Sequence, residues 1–167
     1  FNFESNNYQF LDTQPDSAFY PKHYDFFAGD TVNAKHQWKL ISNDLSLIQF
    51  PVRGNLGHFI NVGARFESLT GTFLDADINL ALHGEYRNKT RNQKWDFSAR
   101  GEFYAVGQNA GDYGLYGMLR RHINDFLGDV RLSVSNVNKE PSYVYKYFNS
   151  NYNAWYNTSL AKENITQ

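Results

Sequence analysis

The chain has 167 residues, a net charge of −1 from 16 basic and 17 acidic residues, and no cysteine. The balanced charge supplies no basic surface for nucleic acid, and the lack of cysteine excludes disulfide bonds and thiolate metal sites. The mean hydropathy is −0.61, and no stretch holds the roughly 18 consecutive apolar residues that a membrane-spanning helix needs. Aromatic residues make up 17% of the chain, which suits the interfacial girdles of a membrane β-barrel.

The N-terminal part shows little regular patterning. Residues 8–29 are rich in Tyr, Asn and Pro, and we interpret residues 1–30 as loop-like. Two weakly alternating stretches follow, residues 32–40 and 45–50, and each is a candidate strand. We expect the second to end near Pro51, because proline cannot donate a hydrogen bond to a neighbouring strand.

Three stretches show the clearest alternation of apolar and polar residues. In the central one, Ile78 and Leu80 alternate with Asp77 and Asn79. At helical spacing this pattern would scatter charge around every face, so it predicts a strand. Each stretch has about the 9 to 11 residues that a tilted membrane-spanning strand needs. The three stretches are residues 56–67, 76–87 and 95–105.

The C-terminal part continues the pattern more weakly. Residues 113–119, 130–135 and 152–160 bring the predicted total to about eight strands, and residues 138–151 are interpreted as a loop. The connectors contain Gly, Asn and Asp, which favour turns. Because short connections join antiparallel neighbours, the sequence predicts an all-β antiparallel meander.

Alternation alone does not say which set of residues faces inward. The apolar set fills the interior of a soluble barrel and faces lipid in a membrane barrel. Small residues in the apolar set, such as Gly84, Ala99 and Gly101, would fill a dry core poorly, and this favours lipid. Aromatic residues near strand ends favour lipid too, since rings settle at the membrane interface: Phe66, Phe73, Tyr86, Trp95, Phe103 and Tyr113.

The polar set then faces an aqueous interior, where charges of both signs are stable. Its predicted pore-lining members are Arg65, Asp77, His83, Glu85, Arg87, Asp96, Arg100, Glu102, Arg120 and Arg131. On this interpretation, residues 1–167 are part of one transmembrane outer-membrane β-barrel domain. Because residues 160–167 are polar and lack a closing aromatic residue, we expect an internal fragment of a larger barrel.

A family resemblance supports this interpretation. Residues 19–25 (Phe-Tyr-Pro-Lys-His-Tyr-Asp), 30–34 (Asp-Thr-Val-Asn-Ala) and 38–40 (Trp-Lys-Leu) resemble the putative porin family of Bacteroidetes, in which aromatic loops with Tyr and Asp precede long alternating strands. The resemblance extends over most of the chain. It implies a many-stranded, pore-forming barrel in the bacterial outer membrane, and it supplies no catalytic or ligand-binding residues.

The expected function is passive diffusion of small hydrophilic solutes through an outer-membrane channel. Its partners would be outer-membrane lipid, polar solutes and other outer-membrane proteins, and not nucleic acid. Two alternatives stay open: a plugged or accessory barrel subunit of an outer-membrane complex, and a soluble ligand-binding β-barrel.

We predict no enzyme activity, cofactor or metal site. The five histidines show no pair at the spacing of common helical zinc sites. His83 is close enough in sequence to meet Glu85 on one strand face, and a hydrolase would need His83 near Ser98 or Ser133. The aromatic residues 143–148 are interpreted as an interfacial girdle and strand start, with sugar stacking as the alternative.

Overall fold

The computed structural model describes residues 1–16, 18–19, 31–72, 74–150, 154–157 and 159–167. Over these residues the regular secondary structure is almost all strand, and the one described helix is a single turn, α1 (Tyr143–Lys146). The strands are β1 (Asn2–Asp12), β2 (Val32–Gln49), β3 (His58–Gly71), β4 (Leu74–Lys89), β5 (Trp95–Val106), β6 (Tyr113–Asn124), β7 (Gly128–Lys139), β8 (Tyr147–Asn149), β9 (Ala154–Tyr156) and β10 (Glu163–Thr166).

Eight of these strands form one sheet in the order β1-β2-β3-β4-β5-β6-β7-β10. Neighbouring strands follow one another along the chain up to β7, which is the order of a meander. The described pairings β4–β5, β5–β6, β6–β7 and β7–β10 are all antiparallel. Strands β8 and β9 form a separate two-stranded hairpin. The all-β class and the antiparallel meander predicted from the sequence are therefore confirmed.

The turns have the residues that their geometry requires. Between β6 and β7, the Asn124 side chain accepts hydrogen bonds from the amides of Phe126 and Leu127 at 3.1 and 2.7 Å. Gly128 then adopts φ 70°, a left-handed conformation that glycine reaches without steric cost. This Asx-type turn reverses the chain within three residues and sets the antiparallel register of β6 and β7.

The strongly alternating stretches agree well with the observed strands. Residues 76–87 lie within β4, residues 95–105 lie within β5, and residues 56–67 overlap β3. The weaker stretch 113–119 extends further than predicted, to the end of β6. Apolar and polar residues alternate in these strands because successive side chains point to opposite faces of the sheet, and each face meets one kind of environment.

Four predictions need correction. Residues 32–40 and 45–49 belong to one 18-residue strand, β2, because pairing in the sheet overrides the turn-forming residues between them. The loop predicted for residues 1–30 contains β1, although residues 20–30 lie outside the described residues. The loop predicted for residues 138–151 contains the end of β7, α1 and β8. Of the predicted strand 152–160, only residues 154–156 are strand among the described residues, as β9, while residues 152, 153 and 158 lie outside them; β10 follows later in the chain.

The chain divides into two compact units. The first comprises residues 1–41, 68–77 and 141–161, and the second residues 42–67, 78–140 and 162–167. Within the described part of the chain, the buried hydrophobic residues are only Val32, Ala34 and Ala81. No helix among the described residues is long and apolar enough to cross a membrane.

Candidate functional site

The second unit has one face that gathers most of the predicted pore-lining residues. In an antiparallel pair, residues directly opposite each other share a face. Glu85 lies opposite Arg100, and Arg120 lies opposite both Asp96 and Arg131. We call this side of the sheet the polar face. Eight of the ten predicted residues lie on it by register: His83, Glu85, Arg87, Asp96, Arg100, Glu102, Arg120 and Arg131.

Arg65 joins the polar face through a four-residue network. Its guanidinium forms ion pairs with Glu67, at 3.0 Å, and with Glu102. It also donates a hydrogen bond of 3.2 Å to the Tyr104 hydroxyl, which donates to Glu67 at 3.3 Å. Asp77, the tenth predicted residue, lies on β4 and belongs to the first unit.

Arg87 and Asp96 form the best-defined ion pair of the face. Nε and Nη2 of Arg87 donate to the two carboxylate oxygens of Asp96 at 3.2 and 2.8 Å, a bidentate arrangement. Asp96 is only 3% exposed. A carboxylate buried to this extent is stable when it is paired and hydrogen-bonded.

His83 pairs with a residue that the sequence did not suggest. Its Nε2 lies 2.9 Å from Oδ2 of Asp44 on β2, beyond β3 in the strand order, whereas sequence spacing had allowed a contact with Glu85 on the same strand. The ring occupies space that Gly63 leaves open, since a Cβ atom on Gly63 would lie 2.5 Å from His83 Cε1 and 2.6 Å from the Ser46 hydroxyl. A side chain at position 63 would therefore displace the His83 ring or the Ser46 hydroxyl.

Two further polar clusters flank these pairs. Asp129 forms an ion pair with Arg120 at 3.6 Å and lies 3.0 Å from Nδ1 of His122. Lys162, just before β10, donates to Asp112 at 2.7 Å and to the carbonyl of Ala110 at 2.6 Å. Sequence reasoning missed Asp44, Glu67, Tyr104, His122 and Asp129. Glu67 and Tyr104 were identifiable from alternation alone, whereas the others depend on register.

A cavity of about 480 Å³ lies on the polar face. Arg100 and Arg131 line it, together with Ser98 and Ser133. The guanidinium of Arg100 lies over the Tyr116 ring, 4.3 Å from its centre, a cation–π contact that orients the side chain. No group of His, Asp and Glu suited to a metal ion occurs within the described ranges.

The opposite face of the same strands is apolar and exposed. Leu132 is 70% exposed, Val134 60% and Leu115 54%. Aromatic rings lie towards one end of this face: Tyr86 and Phe97 have ring centres 6.0 Å apart. We call this side the apolar face. Of the aromatic residues predicted at strand ends, Phe73 lies outside the described residues.

The first unit carries an aromatic cluster of its own. Phe148 on β8 stacks on Trp155 of β9 at 4.1 Å with an interplanar angle of 10°, and on His36 of β2 at 4.6 Å. Tyr147 and Tyr156 contact each other across the same hairpin at 4.9 Å. The strand start predicted within residues 143–148 is confirmed, because β8 begins at Tyr147.

Comparison with known proteins gives a match to a protein family. No curated protein and no solved structure matches the chain. The family described as "Putative porin" matches residues 1–167, the whole chain. With an all-β meander that separates a charged face from an exposed apolar face, the chain belongs to this porin family.

Proposed function

We propose that the chain forms part of the wall of a single outer-membrane β-barrel that lets small hydrophilic solutes diffuse through an aqueous lumen. The polar face lines the lumen and the apolar face contacts lipid. The observation that carries this proposal is the reversed burial of the second unit. There, charged Asp96 and Glu67 are 3% and 9% exposed, whereas apolar Leu132 is 70% exposed.

The energetics favour this orientation over its opposite. A charged side chain at the centre of a bilayer costs about 2.5 to 3.5 kcal/mol on insertion scales, and the polar face carries many such groups. The apolar face is unfavourable in water, because a contiguous exposed apolar surface of this extent favours aggregation. Lipid against one face and water against the other removes both costs.

The soluble ligand-binding alternative would place the apolar face inside a barrel and the polar face towards bulk water. Charged groups towards bulk water are usually well exposed and loosely paired. The network of Arg65, Glu67, Glu102 and Tyr104 is instead closely packed, and Asp96 is almost completely covered. This packing supports an enclosed polar lining.

Channel activity is tested with the purified full-length protein in planar bilayers. We expect conductance to increase in steps as single channels insert, and the open channels to stay open under applied voltage. Proteoliposomes that contain the protein should swell in solutions of small sugars. Heat-denatured protein in the same detergent is the control. A correctly folded, inserted protein with no conductance would exclude the diffusion channel. Co-purification with a fixed partner would then favour an accessory subunit.

The orientation of the two faces is tested with adjacent single-cysteine variants, because the chain contains no cysteine of its own. In proteoliposomes, Ser133→Cys should react with a charged thiol reagent, whereas Leu132→Cys should not. A fluorophore on Leu132→Cys should instead be quenched by lipids with brominated acyl chains. Equal quenching at both positions would contradict the assignment of the faces.

A further inference from the structure

The five arginines of the polar face fall into two groups. Arg65, Arg87 and Arg120 each bind a carboxylate, from Glu67 and Glu102, Asp96, and Asp129 respectively. For Arg100 and Arg131, no carboxylate of the described residues lies within ion-pair distance. Two cations without a bound anion are therefore left on a face whose other arginines are neutralised.

Both of these arginines line the same cavity of about 480 Å³. Arg131 lies directly opposite Arg120 in the register of β6 and β7. Like charges placed directly opposite each other repel, and Asp129 relieves this repulsion only on the side of Arg120. The Tyr116 ring holds the Arg100 guanidinium in place without neutralising it.

The rest of the cavity lining suits an anion with several oxygen atoms. Ser98 and Ser133 lie on either side of Met118 in the register, so their hydroxyls share the polar face with the two arginines. Hydroxyl and guanidinium groups together supply many donors, and a guanidinium binds two oxygens of one oxyanion at once. Glu85, opposite Arg100, also lines the cavity and weakens anion binding at that end.

We propose that this cavity is a binding subsite for the oxyanion group of a solute, namely a phosphate, sulfate or carboxylate. Its location in a lumen rests on the proposed function, but the anion binding does not. Arg131 contributes more to anion binding than Arg100, because Arg100 lies opposite Glu85 whereas Arg131 lies opposite Arg120. The acidic Glu85 keeps the affinity low, which is what a solute in transit requires.

The test uses full-length protein in detergent micelles and inorganic phosphate, followed by ³¹P line broadening. Arg131→Gln should weaken phosphate binding about tenfold, as expected for the loss of a charge-assisted contact. The double variant Arg100→Gln/Arg131→Gln should abolish saturable binding. Arg100→Lys/Arg131→Lys should keep part of it, because the charge remains while the planar fork is lost.

The matched control is Arg53→Gln/Arg121→Gln, which removes the same net charge. Arg53 is exposed in the β2–β3 connection, and Arg121 adjoins Arg120 but lies on the apolar face, over the Trp95 ring at 4.8 Å. This control should bind phosphate as the unmodified protein does. Equal phosphate binding by the control and by Arg100→Gln/Arg131→Gln, or no saturable binding by the unmodified protein, overturns the subsite.

Sulfate and acetate should compete with phosphate, and chloride should compete much less. In bilayers, phosphate should reduce the chloride current of the unmodified protein but not of the double arginine variant. The two proposals fail separately. Binding that depends on the arginines, in a protein without conductance, retains the subsite and excludes the channel. Conductance in a protein without such binding retains the channel and excludes the subsite.

Discussion

Val134→Lys should lower the free energy of unfolding in phospholipid bilayers by about 2 to 4 kcal/mol, the cost of a cation on the lipid face of a membrane barrel near the bilayer midplane. Val134 is 60% exposed and lies opposite Gly117 in the register. It is therefore central on the apolar face. The measurement is urea unfolding of protein reconstituted in phosphatidylcholine vesicles, followed by tryptophan fluorescence.

The control for this substitution is Ser133→Lys, one residue earlier on the same strand. Its side chain lies on the polar face, where an added ammonium group stays in water. We expect a loss of only a few tenths of a kcal/mol, from repulsion by nearby Arg131. Equal destabilisation by the two lysines would show that both faces meet the same solvent, and the proposed orientation would have to be abandoned.

The second large effect is expected at the Arg87–Asp96 pair. Arg87→Met leaves the carboxylate of Asp96, which is 3% exposed, without its bidentate partner. Breaking a buried pair in this way costs about 3 to 5 kcal/mol. We expect about 2 kcal/mol here, because the Arg87 side chain is 40% exposed and Lys89 lies directly opposite Asp96 as a substitute partner.

The same unfolding measurement on a double-mutant cycle isolates the pair. Arg87→Met/Asp96→Asn should be less destabilised than the sum of the two single variants, since no uncompensated charge remains. Arg91→Met, in the exposed β4–β5 turn, is the matched control and should change stability little. A loss at Arg91 as large as that at Arg87 would assign the effect to surface charge in general.

Alternation predicted strands and faces, but it could not predict register. Moving a strand by two residues leaves every side chain on the same face, so the sequence identified His83 as polar-facing without identifying its partner. Asp44 lies on β2, which is separated from β4 by β3 in the sheet. The contact between His83 and Asp44 crosses β3 at Gly63, which has no side chain to block it, and alternation within one strand cannot reveal a contact of this kind.

The N-terminal strands were missed for a different reason. β1 has no clean alternation, because backbone hydrogen bonds to β2 require no side-chain pattern. In β2, the turn-forming residues Ser42, Asn43 and Asp44 suggested a break, and the strand runs through them. The pattern also changes there: before Ile41 the buried residues include Val32 and Ala34, and after it the side chain of Leu45 is 78% exposed.

The 18 residues of β2 bear on how far the proposed wall reaches. At about 3.3 Å per residue the strand is roughly 60 Å long, and at a tilt of about 45° it rises roughly 42 Å. The apolar band of an outer-membrane barrel is only about 25 Å tall. Leu45 and Leu47 fit that band, whereas exposed Lys35 and buried Val32 follow the pattern of a strand in water. In the proposed wall, β2 would therefore exceed the apolar band by roughly 17 Å, and its N-terminal end would continue into the aqueous phase.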